Sequence, residues 1–239
     1  MINTPSIQSR AKILPRLIIN DGTLEALKWL GIVLMTIDHI NTFFLNAKYR
    51  AMFDIGRATM PLFMFVLAYN LARPNTLKND VHLRAMKRLV LFGIIATIPY
   101  AALNKLQLGG WWPINILGAL FITTMIIYCL EKRDQKSFAI AILAFIFGGA
   151  IVEFFWFGIL ICLASWYYCK RPSWISLIVW VGATASLFIF NKNWYALAVI
   201  SVIFLAPRVQ VRIPRMKNIF YIYYPAHLSV IWLAMQFTR

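Results

Sequence analysis

The sequence predicts an all-α fold, a polytopic bundle of about nine transmembrane helices with a cytoplasmic N-terminus and a periplasmic C-terminus. Three observations predict it. Of 239 residues, 61% are hydrophobic and 13% are charged, above the apolar share and below the charged share of ordinary soluble domains. Apolar runs of roughly 15 to 23 residues recur along the whole chain, and about 20 helical residues cross a bilayer core. The third observation is that Lys and Arg collect on alternate connections between those runs.

The apolar runs place spans at 24–46, 51–72, 84–103, 114–130, 137–152, 154–170, 173–190, 194–206 and 219–237. The two short pieces between Ser137 and Lys170 could also form one re-entrant unit. On one set of connections lie Arg10, Lys12 and Arg16, then the loop from Arg73 to Arg88, then Lys132, Arg133 and Lys136, then Lys170 and Arg171, and finally Arg208, Arg212, Arg215 and Lys217. The other set holds only Lys48, Arg50, Lys105, Lys192 and Arg239. The richer side is the cytoplasmic one. Residues 1–23 form a cytoplasmic or interfacial segment, able to lie on the membrane as an amphipathic helix, and 24–239 form a single transmembrane domain. No cleavable leader is expected, because the first long apolar run begins only near Leu24 and no small-residue cleavage site follows a short apolar core.

The formal charge of +16 does not point to nucleic acid, since the cations are scattered over short connections and form no single patch beside exposed aromatics. Cys129, Cys162 and Cys169 have neither zinc spacing nor the even count of a disulfide framework, and read as packing residues. No metal site is expected.

A charge near the bilayer centre costs about 2.5 to 3.5 kcal/mol, so ionisable residues inside spans usually face the bundle interior and mark function. In the first span Lys28, Met35, His39 and Thr42 share one side of a helix, with Gly31 and Asp38 on its shoulder. Lys28 and His39 stand roughly 16 Å apart along the axis at about 1.5 Å per residue. This face would connect the cytosol to a buried imidazole. Arg57 enters the second span to a depth similar to Asp38, so a charge-assisted contact would neutralise both; Asp54, one turn earlier, competes as partner. The last span carries Tyr223, Tyr224, Pro225, Ala226 and His227. Asn115, after Trp111, Trp112 and Pro113, and Glu153, between two apolar pieces, complete the polar set; both could simply cap short helices. Trp111 and Trp112 read as interfacial anchors.

The run Leu27-Lys28-Trp29-Leu30-Gly31-Ile32-Val33-Leu34-Met35-Thr36-Ile37-Asp38-His39-Ile40-Asn41, followed by Gly56-Arg57 and Pro61-Leu62-Phe63, resembles the TraX family of bacterial conjugation systems. Arg88-Leu89, Gly93-Ile94-Ile95, Asn115-Ile116-Leu117, Phe220-Tyr221 and His227-Leu228 add to the likeness. The resemblance implies an inner-membrane enzyme that transfers acetyl from acetyl-CoA to the amino-terminus of a pilin subunit. The first span is also similar to the opening helix of the wider membrane-integral acyltransferases, where an Arg precedes a buried catalytic His; here Lys28 stands in place of that Arg, keeping a cation but not bidentate geometry.

On this reading His39 is the general base, with Asp38 or a neighbouring carboxylate orienting the imidazole. Arg57, Asn115 or His227 would stabilise the thioester oxyanion. Lys28 and the basic loop would meet CoA, and Tyr224, Glu153 and Asp54 would contact substrate. Three other functions fit the same residues: O-acyl transfer to a glycan or lipid, proton-coupled transport, and non-catalytic pilus assembly. Against transport stands the lack of an internal repeat of equal halves.

Overall fold

The structure is a computed structural model that describes residue 14, residues 16–104 and residues 112–237. Every segment read as a span is helical. Among the described residues ten helices carry the fold: α1 (Asp21–Phe43), α2 (Arg50–Gly56), α3 (Thr59–Ala72), α4 (Val81–Asn104), α5 (Ile116–Lys132), α6 (Gln135–Leu143), α7 (Phe155–Lys170), α8 (Trp174–Ala185), α9 (Ala198–Leu205) and α10 (Ile219–Phe237). Helix α6 continues through a π turn (Ala144–Gly148) and a last turn (Gly149–Ile151), and a short helix (Phe188–Asn191) extends α8. There is no strand among the described residues, only an isolated bridge between Ile114 and Val152.

By length and apolarity, three of these helices can each cross a membrane: Arg50–Ala72, Val81–Leu103 and Trp174–Asn191. Gln135–Ile151, Phe155–Lys170 and Tyr195–Arg208 are shorter apolar helices. The outer surface is correspondingly apolar, with Ile94, Ile98, Ile175 and Ile178 all at least 66% exposed. Such a surface suits lipid as its solvent. The proposed amphipathic helix at the N-terminus falls almost wholly outside the described residues, as does Trp111; the described part, up to Asn20, is not helical.

Local chemistry explains the ends of the elements. Asn20 caps α1 by accepting from Thr23 N at 2.7 Å, and Asp134 caps α6 through Ser137 N and Oγ at 2.9 and 2.7 Å. Those two Ser137 hydrogen bonds hold the Asp134 carboxyl below the usual carboxylate range. The break between α2 and α3 follows from Pro61, in the first turn of α3: with no N–H, it leaves the Arg57 carbonyl without a helical partner, and the ladder stops there. Asn41, fully buried, ties the α1 to α2 turn by donating to Tyr49 O and accepting from Tyr49 N, both at 3.0 Å. Asn41→Ala removes both contacts, leaving Tyr49 O with only the Phe53 N–H at 3.3 Å, and is expected to lower stability by about 1 kcal/mol, measured by thermal unfolding in detergent.

The connections sort into two sets at opposite ends of the bundle. At the basic end, Arg73 pairs with Asp21, Lys170 Nζ lies 2.7 Å from Glu131 Oε1, and Met216 N donates to Glu25 Oε1 at 2.9 Å. At the other end, Asn193 Nδ2 donates to Asp54 Oδ1 at 2.8 Å, and Glu153 N to Ile114 O at 2.8 Å. Helices α3, α7 and α8 form one packed unit around Phe65 and Trp180, whose rings stack at 5.4 Å. Helices α4, α5 and α10 form a second, around Leu89, Ala96, Leu117 and Leu228. Helix α1 joins the two.

Candidate functional site

Where the two packed units meet, away from the basic end, lies a cavity of about 140 Å³. Neighbouring helix residues differ in direction by about 100°, so the adjacent Asp38 and His39 face different partners. Asp38 points at α2 and His39 at α10.

Toward α2, Asp38 Oδ2 accepts from Arg57 Nη2 in a short ion pair. The helices approach closely because residue 56 is glycine: a Cβ there would sit 2.5 Å from Asp38 Cβ. Gly56→Ala is therefore expected to push α2 away from α1, to cost about 1 to 3 kcal/mol by overpacking and to move the guanidinium away from Asp38. Thermal unfolding of the purified variant in detergent checks the loss. Arg57 is further fixed by its Nε, which donates to Phe53 O at 3.1 Å, and by the Phe53 ring 4.1 Å from its guanidinium carbon. Nη1 remains as the donor not used in either contact. Asp38 Oδ1 is buried with no hydrogen-bond partner among the described residues.

Toward α10, His39 Nδ1 lies 2.8 Å from His227 Nε2, and His227 Nδ1 lies 3.0 Å from Tyr223 O. The carbonyl can only accept, so His227 Nδ1 carries the proton. With His227 neutral, its Nε2 accepts from His39 Nδ1–H, and the lone pair of neutral His39 is at Nε2. Ring packing holds this order: His39 stacks on His227 at 5.0 Å and 9°, and His227 on Tyr223 at 5.1 Å and 14°. Tyr223 is anchored to α1 through Thr36 Oγ1 at 2.7 Å. His39 lines the cavity and His227 stands behind it. The residue orienting the imidazole is thus a second histidine, not Asp38, whose carboxylate is engaged by Arg57.

Glu153 reaches the same cavity from the turn between α6 and α7. That turn carries left-handed backbone at Phe154 and Phe155, with φ of 62° and 50°, a conformation costly for bulky residues. The surroundings fix it: Ile114 N donates to Ile151 O at 2.7 Å, Glu153 N donates to Ile114 O, and Trp112 Nε1 donates to Ala150 O at 3.0 Å. Ile116, at the start of α5, lines the cavity together with Glu153. Tyr224 also lines the cavity, as do Tyr100 and Asn191, two residues the sequence reading did not single out. A tyrosine or asparagine close to a span end looks like an ordinary interfacial residue, so neither carries a distinguishing signal.

Three residues expected to contact substrate are placed outside the cavity and are engaged elsewhere. Asn115 caps α5, accepting from Leu117 N at 3.1 Å and donating to Gly93 O at 3.0 Å. Asp54 is held by Asn193 and by Arg50 Nε at 3.0 Å, which leaves Asp38 as the partner of Arg57. Lys28 pairs with Glu25 Oε2 at 2.7 Å, with its Nζ 4.9 Å from the Phe220 ring centre. The face of α1 between Lys28 and His39 is packed: a Cβ on Gly31 would meet the Phe63 ring at 2.9 Å, and Met35 is buried.

A comparison with known families decides the relationship. The family described as TraX protein matches residues 23–235. The chain belongs to the TraX family. A curated relative, Protein TraX of Escherichia coli, is 35% identical over 131 residues, covering 53% of this chain and 48% of the relative. The chain thus spans about half the length of the curated TraX it matches. No solved structure matches the chain. The matched family region contains the whole cavity, from Met35 to Leu228.

Proposed function

We propose that this TraX member is an integral membrane acetyltransferase that moves acetyl from acetyl-CoA to the amino-terminus of a conjugative pilin subunit. The proposal is carried by the hydrogen-bonded order Tyr223 carbonyl, His227, His39, which puts the lone pair of His39 on Nε2 in a residue that lines the cavity. By the positive-inside rule the basic end faces the cytosol and the cavity lies toward the periplasmic half of the bacterial inner membrane. On this reading the protein is multi-pass with a cytoplasmic N-terminus, and the likeness of α1 to the opening helix of the wider membrane-integral acyltransferases supports the same chemistry. The anionic nucleotide of CoA meets the cations of the basic end, Lys28 included. Its pantetheine arm reaches His39 along α1 once Phe63 and Met35 turn aside.

At the cavity the acceptor nitrogen attacks the thioester carbonyl carbon. His39 Nε2 takes a proton from that nitrogen, and His227 stabilises the imidazolium through the shared hydrogen bond. Arg57 Nη1 donates to the developing oxyanion, an interaction worth about 3 kcal/mol in a desolvated site. The C–S bond breaks, His39 returns its proton to the thiolate, and CoA leaves as the thiol. In proteoliposomes with acetyl-CoA and a peptide bearing the pilin amino-terminus, the wild type is expected to form acetyl-peptide and free thiol in equal amounts. Thiol release with no acetylated peptide would refute the acceptor, and neither product would refute the activity.

A further inference from the structure

An amine acceptor sets a requirement that a hydroxyl acceptor does not. An α-amino group has a pKa of about 7.7 to 8.0, so near neutrality it arrives mostly as ammonium, which has no lone pair. Two protons must then leave the nitrogen: one before attack and one as the amide forms. His39 Nε2 supplies one base, and its proton returns to the departing thiolate. The first proton needs another acceptor.

The cavity holds one. Glu153 lines it together with His39, Asp38 and Arg57. Arg57 is matched by Asp38, so an ionised Glu153 is the uncompensated charge of the cavity, and a cation is the ligand that matches it. The groups facing it are Tyr100 from α4, Tyr224 from α10, Asp38 and His39 from α1, and Arg57 beyond α2, with His227 behind His39. The turn that carries Glu153 is fixed by the Ile114 and Val152 bridge, and Ile116, in the first turn of α5, lines the same cavity. A helix N-terminus supports the charged form before the ammonium arrives.

Resting on the acetyltransferase reading, we propose that Glu153 binds the acceptor as its ammonium and removes the first proton, so that this cavity selects primary amines over hydroxyls. The order is balanced: the ammonium gives one proton to the Glu153 carboxylate, the free amine attacks the acetyl carbon, His39 accepts the second proton and passes it to the thiolate. Glu153 then releases its proton to the aqueous phase.

The test is the pH profile of kcat/KM for acetylation of a pilin amino-terminal peptide by the reconstituted wild type and Glu153→Gln. The wild-type rate is expected not to follow the free-amine fraction between about pH 6.5 and 8. The Glu153→Gln rate is expected to follow it, with a deficit of about tenfold or more at pH 6.5 shrinking to within about twofold by pH 9, where the amine is already deprotonated. A deficit that is constant with pH, or no deficit at all, overturns the proposal while leaving the acetyltransferase reading standing. Should the variant not fold, the wild-type profile decides alone: a rate that tracks the free-amine fraction overturns the assignment. A wild type inert toward every amine but active on a hydroxyl acceptor overturns both.

Discussion

His39→Ala is expected to lower acetyl transfer by about 10² to 10⁴, the range over which a positioned general base contributes, while leaving the bundle folded. The side chain lost lines a cavity, and its removal vacates space without stranding a charge. His227→Ala is expected to fall in rate by less, because His39 keeps its place on α1 but loses the partner that sets its tautomer and stabilises its imidazolium. Initial rates of thiol release in proteoliposomes, with unfolding followed in parallel, separate these effects from misfolding. Equal activity of wild type and His39→Ala would remove His39 from the chemistry.

Asp38→Ala is expected to act mainly on stability. It strands the partly buried Arg57 guanidinium, and breaking such a pair from one side costs about 3 to 5 kcal/mol. Arg57→Ala strands Asp38 instead, whose Oδ1 already lacks a partner, and should cost a similar amount together with the oxyanion donor. The double variant is expected to lose less than the sum of the two, because neither charge is then left alone. Thermal unfolding of the three variants in detergent closes the cycle; strict additivity would show that the two side chains do not act as a pair.

Much of this site was legible in the sequence because charge is costly in lipid. Asp38, His39 and Arg57 stand out from their apolar runs, and similar depth on adjacent spans was enough to pair Asp38 with Arg57. The partner of His39 was harder to read: His227 lies 188 positions away, and no periodicity within one helix reports which other helix it touches. Nor does the sequence distinguish a cap from a ligand. Asn115 and Asp54 sit at helix ends, as Glu153 does, and only packing shows that the first two are consumed by neighbouring backbone and side chains while the third opens to the cavity. Gly56 was visible as part of a motif, but its role depends on the distance between α1 and α2. The polar face of α1 looked like an open path for the donor; Phe63 fills it, and helical periodicity says nothing of what a facing helix inserts.

One measurement tests the role of His39 and the acetylated product together. Intact masses of the membrane-resident pilin should be compared from cells carrying the wild type, His39→Ala at matched protein level, and no copy of the gene. Pilin heavier by one acetyl group is expected with the wild type alone, the group mapping to the amino-terminus. Unmodified pilin in all three, or acetylated pilin with His39→Ala, would contradict it.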